Sequence, residues 1–277
     1  MNREALLDRL LGDFPKVVIA FSAGVDSTYL LARAHLVLGA RVLAVTADSP
    51  SLPRSTLAEA KAFCADRGIA HHVVATDEFA DPVYLANDGQ RCGHCKSHLM
   101  EALSALDASR DAVAMLGVIA DDLQDHRPGQ AAARQRGARF PLAELGFTKA
   151  DVRARSRVMG LASADRPAEP CLSSRVPYGE PVSPTAVRMI EEAEAALHHA
   201  GFATCRVRHH MVGGGKAWLA RIEVPQADIP RLTELRASVV PALRRIGYAN
   251  ITVDLGGFTS GGFNAMLSAS SERTDRA

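Results

Sequence analysis

The chain predicts an α/β fold, a parallel sheet with helices on both faces, followed by a small C-terminal α+β domain. Apolar, β-rich runs alternate with helix-period segments through about the first 160 residues. The first of these runs, 17–21, breaks into a glycine-containing turn that opens a helix. Five prolines, at 167, 170, 177, 181 and 184, then exclude regular helix before periodic sequence resumes.

Each element follows from its own residues. MNREALLDRLLGDF carries Glu4, Asp8 and Asp13 among its leucines, which suits an amphipathic helix and not a signal peptide. Residues 17–21 read as a strand buried on both faces. Ser22, Ala23 and Gly24 make a turn in which Gly24 is expected to supply backbone angles closed to other residues, and Asp26 or Ser27 to cap the next helix. A helix over 26–38, a strand over 41–46, a helix from 55 to about 67 and strands at 71–75 and 112–116 follow. Residues 117–129 form an aspartate-rich loop, and Thr148 caps a helix over 149–159. Ser22, Asp48 and Asp121 thus fall at carboxyl ends of strands, where parallel sheets bind ligands.

Beyond the prolines the pattern reads as a helix over 184–200, strands at 205–210 and 217–224, a helix over 227–246 and a strand at 248–255. The expected division is a first domain over 1–165, a proline-rich linker over 166–183 carrying Cys171, a small α+β domain over 184–258, and a disordered tail over 259–277.

The 277 residues are 47% hydrophobic and 23% charged with a net charge of +1, which suits an ordinary globular protein and argues against a large nucleic-acid surface. No apolar run approaches the ~18 residues of a membrane span, so a cytoplasmic location is expected. Five cysteines in such a chain are core thiols, metal ligands or nucleophiles before they are a disulfide framework.

Free amides at a helix start attract phosphate. The glycine-lysine pair of a Walker loop is missing, but Ser-Ala-Gly-Val-Asp-Ser after a buried strand resembles the SGGxDS loop of the PP-loop ATP pyrophosphatases, with alanine at the first glycine. The resemblance implies that Ser22, Gly24, Val25, Asp26 and Ser27 hold the pyrophosphate end of ATP while AMP is transferred to a carbonyl or carboxylate oxygen. Thr46, in the second strand, joins this set. Asp121, Asp122 and Asp125 either bind Mg²⁺ on the nucleotide or merely cap and solvate their loop, and Arg127 is a candidate phosphate ligand.

Cys92 and Cys95 form a CxxC pair, a spacing that lets two thiolates reach one metal or one another. No second CxxC exists; Cys64 and Cys205 fall in a predicted helix and strand and read as buried thiols. Cys171, flanked by prolines, reads as a nucleophile. Arg206 and Arg208 lie two apart on a strand and so share a face. The histidine pairs 71/72, 198/199 and 209/210 read as surface residues and Trp218 as core.

GVIADDLQDHRPG, PLAELGFTKADVRARSRVMGL and PCLSSRVPYGE, in that order, resemble the LarE family of ATP-dependent sulfur transferases, over roughly residues 1–258. That resemblance implies a PP-loop domain plus a small oligomerisation domain, a homohexamer, and a pyridinium dicarboxylate mononucleotide whose carboxylates become thiocarboxylates for the nickel-pincer cofactor of lactate racemase. By the same resemblance Arg206 and Arg208 grip the substrate phosphate, and Glu194 and Glu223 bind a metal between subunits. Adenylation turns a carboxylate into an electrophile that the Cys171 thiolate can attack, with Arg175 a candidate cation beside it. In the sacrificial mechanism Cys171 gives up its sulfur and becomes dehydroalanine. The CxxC departs from single-cysteine members of the family and leaves a second route open, in which Cys92, Cys95 and Cys171 hold a [4Fe-4S] cluster that carries the sulfide. A tRNA thiolation enzyme, a non-catalytic ATP-binding regulator and an amidating ligase with a structural zinc remain as other readings.

Overall fold

The apolar run at Val17 becomes an inner strand of a four-stranded parallel sheet because its successive residues feed two different cores. The computed structural model describes residues 2–124, 128–167 and 169–259. In chain order these form α1 (Arg3–Gly12), β1 (Val17–Ala20), α2 (Val25–Leu38), β2 (Val42–Asp48), α3 (Arg54–Asp66), β3 (Ala70–Ala75), α4 (Pro82–Ala86), α5 (Arg91–Ala105), β4 (Val113–Leu116), α6 (Pro128–Gln135), α7 (Pro141–Glu144), α8 (Lys149–Val158), α9 (Pro184–His199), β5 (Arg206–Val212), β6 (Ala217–Glu223), α10 (Ile229–Glu234), α11 (Arg236–Ile246) and β7 (Asn250–Val253). Two compact units result. One takes the chain up to Glu78 and Cys92–Glu169; the other takes Phe79–Arg91 and the chain from Pro170 on.

In the first unit the strand order is β3-β2-β1-β4, all parallel, with Val17 beside both Val42 and Val113. Val17 and Ile19 pack with Leu7, Leu11, Tyr29 and Leu30 on one face, whereas Val18 packs with Leu43, Leu99, Met100 and Leu103 on the other. Burial on both faces explains why β1 shows no polar alternation. The chain leaves β1 for β2 and β3 on one side and returns to β4 on the other, a switch point that opens a crevice beyond the carboxyl ends of β1 and β4. This is the α/β architecture expected of a PP-loop domain, and the second unit supplies the small C-terminal sheet.

That sheet has the order β5-β6-β7, antiparallel then parallel. Val207, Ala220 and Ile222 face a core with Met189, Ala193 and Leu197 of α9 and Val239 and Leu243 of α11. Alternation puts Arg206, Arg208, Arg221 and Glu223 on the opposite face.

Several expectations need correction. Neither Asp26 nor Ser27 caps α2: the helix starts at Val25 after an extended Gly24, without a side-chain cap. Gly24 has φ −72°, and the left-handed residue of the turn is Ala23, at φ 55°. The helix expected over 227–246 is broken into a 3-10 turn (Gln226–Asp228), α10 and α11, which meet at Leu235 with φ −79°, ψ 8°. His209 is buried, 1% exposed, because the strand alternation turns it into the core beside Trp218 and Tyr248. Trp218 itself is half-buried against that core. The stretch expected as an aspartate-rich loop over 117–129 contains a 3-10 turn at Asp121–Gln124 and the start of α6. No helix among the described residues is long and apolar enough to cross a membrane. Asp125, Arg127 and all of the tail but its first residue, Thr259, lie outside the described residues.

Candidate functional site

At the end of β1 the sheet pairing continues to Phe21, whose N–H donates to Val45 O at 2.8 Å. The turn then closes on its own serines. Ser27 Oγ donates to Gly24 O at 3.2 Å and stands 3.1 Å from Ser22 Oγ, and Ser22 N–H donates to Ser27 Oγ at 3.3 Å. The first main-chain bond of α2 is Thr28 N–H to Gly24 O, 2.9 Å, so the amides of Val25, Asp26 and Ser27 precede the helical ladder and form its positive end. The loop after β4 lies directly on this turn: a Cβ at Gly117 would come within 2.6 Å of Ser27 N. Only glycine allows that approach.

Lys149 joins the turn, although sequence reasoning assigned it no role. As the first residue of α8, behind the Thr148–Asp151 capping box, it gives its main-chain N–H to Asp121 Oδ2 at 2.6 Å and its ammonium to Asp26 Oδ2 at 2.5 Å. Asp26 Oδ1 is buried without a hydrogen-bond partner among the described residues. Burial pushes the Asp26 carboxyl above the usual carboxylate range, and Lys149 pulls it back. Free amides and an ammonium suit phosphate oxygens, and an unsatisfied carboxylate oxygen suits a divalent cation riding on them. The donor set therefore fits a nucleotide polyphosphate with Mg²⁺. The signal for Lys149 lay in the segment FTKADVR, directly after the helix cap.

Other ATP-site candidates have structural partners. Thr46 is buried, donating to Phe21 O at 2.8 Å and meeting His71 Nε2 at 2.9 Å. Asp121 holds the start of α8, and Asp122 Oδ2 accepts from Ile119 N–H at 3.2 Å.

Cys92 and Cys95 sit one turn apart in the opening turns of α5, the first exposed and the second half-buried. That spacing puts both thiols on one side of the helix, near its positive end. Gly129 lets α6 pack closely against the backbone of α5 at Cys92, since a Cβ there would stand 2.7 Å from Cys92 O. Cys64 and Cys205 are buried, as expected, and burial pushes the Cys64 thiol up to about 11. Among the described residues, no group of three or more His, Cys, Asp or Glu stands together to hold a metal ion.

In the second unit, half-buried Cys171 precedes a 3-10 turn, Leu172–Arg175, whose Ser174 N–H returns to Cys171 O at 3.0 Å. Arg175 is fully buried. It makes a two-pronged bond to Glu194 at 3.0 and 2.9 Å and donates to the carbonyls of Pro170 and Cys171. Glu194 also accepts Val207 N–H at 3.0 Å. Arg208 makes the same two-pronged bond to Glu223, at 2.9 and 2.8 Å, and donates to Ser174 O at 3.2 Å. Arg206 lies over the Phe258 ring and bonds Cys205 O. The two carboxylates considered as metal ligands are thus each ion-paired to a candidate arginine, Glu194 to Arg175 and Glu223 to Arg208.

No family model matches the chain. An uncharacterized protein of Synechocystis sp. is 40% identical over 264 residues, 94% of this chain and 96% of that protein. The pyridinium-3,5-bisthiocarboxylic acid mononucleotide synthase of Lactiplantibacillus plantarum is 34% identical over 268 residues, 96% of this chain and 95% of that protein. Identity at that level, along nearly the whole length of both proteins, leaves one assignment: the chain is an enzyme belonging to the LarE family of sulfur transferases.

Proposed function

We propose that the protein uses ATP to convert the carboxylates of a pyridinium dicarboxylate mononucleotide to thiocarboxylates during nickel-pincer cofactor synthesis. The observation that carries this reading is the near full-length identity to a synthase named for that product. A carboxylate resists attack by a thiolate because its leaving group would be oxide. The amides of Val25, Asp26 and Ser27 and the Lys149 ammonium would hold the pyrophosphate end of ATP, and transfer of AMP to a substrate carboxylate releases pyrophosphate. The Cys171 thiolate then attacks the acyl adenylate, and AMP leaves with the electron pair of the broken acyl–oxygen bond. Arg206 and Arg208 remain the candidates for the substrate phosphate.

Two fates of sulfur follow. In one, the Cys171 thioester loses its Cα proton, the Cβ–S bond breaks, and the thiocarboxylate departs to leave dehydroalanine. In the other, which the CxxC spacing of Cys92 and Cys95 on one side of α5 supports, these cysteines and Cys171 would hold an iron–sulfur cluster that would supply a sulfide and leave the chain intact. The reading also carries a cytoplasmic, homo-oligomeric enzyme, hexameric by family resemblance, with Glu194 and Glu223 as candidate ligands of a metal between subunits.

The test is anaerobic turnover with ATP, Mg²⁺ and the dicarboxylate mononucleotide, followed by intact-protein mass spectrometry and iron and acid-labile sulfide assays. Thiocarboxylate with AMP and pyrophosphate supports the function. Loss of the mass of hydrogen sulfide at Cys171 identifies the sacrificial route, and constant mass with bound iron and sulfide the cluster route. Absence of thiocarboxylate, with ATP still bound, overturns the reading.

A further inference from the structure

The second unit contains a buried polar network that the proposed reaction does not itself use. Its source is Phe79–Arg91, a segment that belongs with the chain from Pro170 on despite the eighty or so intervening residues. In it, Asp81 caps the short helix α4 and Asn87 ends it in the left-handed conformation, φ 56°, ψ 44°. Asparagine tolerates that conformation better than most residues.

Asn87 is 0% exposed, and each of its polar groups is engaged. Its Nδ2 donates to Pro177 O at 2.7 Å and Glu180 O at 2.8 Å, its main-chain O accepts from Gly179 N–H at 3.1 Å, and its Oδ1 accepts from Arg91 Nη1. Arg91, 4% exposed, carries the same nitrogen on to Ser173 O at 2.8 Å, and its guanidinium lies 5.6 Å from the Tyr178 ring centroid. The Tyr84 hydroxyl, also buried, meets Ser173 Oγ at 2.7 Å. Val182 N–H closes the set on Leu85 O at 2.9 Å. Residues 173–182 are thereby gripped along most of their length, beginning two residues past Cys171.

Burying a guanidinium and an amide is costly unless every donor is matched, and an apolar core would hold an ordinary loop as well. What such a network adds is one defined conformation. A thiolate that must meet an acyl carbonyl, and then lose its Cα proton or share a cluster, depends on that definition. The geometry assigns Tyr84, Asn87 and Arg91 as positioning residues that fix the loop carrying Cys171; this rests on the proposed role of Cys171 as the sulfur-delivering thiol. The ATP turn is built from residues of the first unit and these three belong to the second, so their loss is expected to spare nucleotide binding.

Tyr84→Phe and Asn87→Asp test the assignment. The first deletes one oxygen; the second keeps shape and backbone preference but turns two donors into acceptors facing carbonyls. The readout is the iodoacetamide alkylation rate of Cys171, mapped by peptide mass against Cys92 in the same sample, with thermal midpoint, ATP affinity and thiocarboxylate turnover measured in parallel. The expected result is a Cys171 rate changed by about fivefold or more with Cys92 unchanged, and kcat for thiocarboxylate lowered about 10- to 100-fold at constant KM for ATP. Tyr84→Phe decides alone if Asn87→Asp fails to fold. Cys171 reactivity within twofold of the parent overturns the assignment, as does a rise at both cysteines accompanied by a lower midpoint, the signature of general loosening. A parent enzyme that makes no thiocarboxylate would refute the proposed function instead, while alkylation, which needs no substrate, still decides the positioning.

Discussion

Lys149 Nζ lies 2.5 Å from Asp26 Oδ2, which ties the start of α8 to the start of α2 at the carboxyl end of β1. The pair holds a cation against the turn proposed to bind phosphate and keeps the partly buried Asp26 charge compensated. Replacing Lys149 with Met removes both functions. The expected outcome is ATP-dependent turnover lowered by about 100-fold or more, with weaker ATP binding by calorimetry and an intact fold by circular dichroism.

Gly117 is required by contact, not by backbone angle, since a Cβ there meets the main chain of Asp26 and Ser27 at 2.6 to 2.9 Å. Gly117→Ala must therefore displace the amides that precede the first turn of α2. ATP affinity should fall by about tenfold or more, whereas Gly12→Ala, whose Cβ meets nothing within 4 Å, should leave it unchanged.

Ala23 holds φ 55° at a place where the SGGxDS pattern has glycine. Left-handed strain costs an alanine about 1 kcal/mol, and glycine gives back about 0.4–1 kcal/mol through its freer unfolded chain. Ala23→Gly should accordingly shift the thermal midpoint by little and preserve ATP binding. Ala23→Val, β-branched in the same conformation, should lower both in the same melting and titration assays.

His209 is buried against Trp218 and bonded through Nδ1 to the Tyr248 hydroxyl at 3.0 Å, and burial lowers its pKa to about 4. His210 is lowered to about 4 as well, by burial and then by Arg221 and Arg208. With folded values below the unfolded 6.5, the unfolded chain binds more protons between pH 6.5 and 4. Stability should thus be full above pH 6.5 and fall as pH drops through that window. Denaturant melts from pH 7 to 4.5 check this, and His209→Gln should flatten the slope if the variant remains folded.

Much of the first unit was legible because the strands β1 and β4 are uninterrupted apolar runs and the helices between strands have their own period. Thr148 was legible as a cap because its partner Asp151 lies three residues away. The rest depended on contacts distant in sequence. Nothing in the local pattern of 79–91 announces that Asn87 bonds carbonyls ninety residues later, or that Lys149 reaches back to Asp26. The surface reading fails for His209 because neighbouring residues on a strand split between faces, and the inward member of this pair is the histidine beside Trp218. Cys171 could be singled out from its prolines, but the pairing of Arg175 with Glu194 required the fold.

The measurement that bears most directly on the central claim compares parent enzyme with Cys171→Ser during anaerobic turnover, following AMP and thiocarboxylate together. The account predicts that Cys171→Ser still forms AMP when ATP, Mg²⁺ and the dicarboxylate mononucleotide are present but yields no thiocarboxylate, since adenylation is separate from sulfur delivery. Thiocarboxylate formed by Cys171→Ser at the parent rate would contradict it.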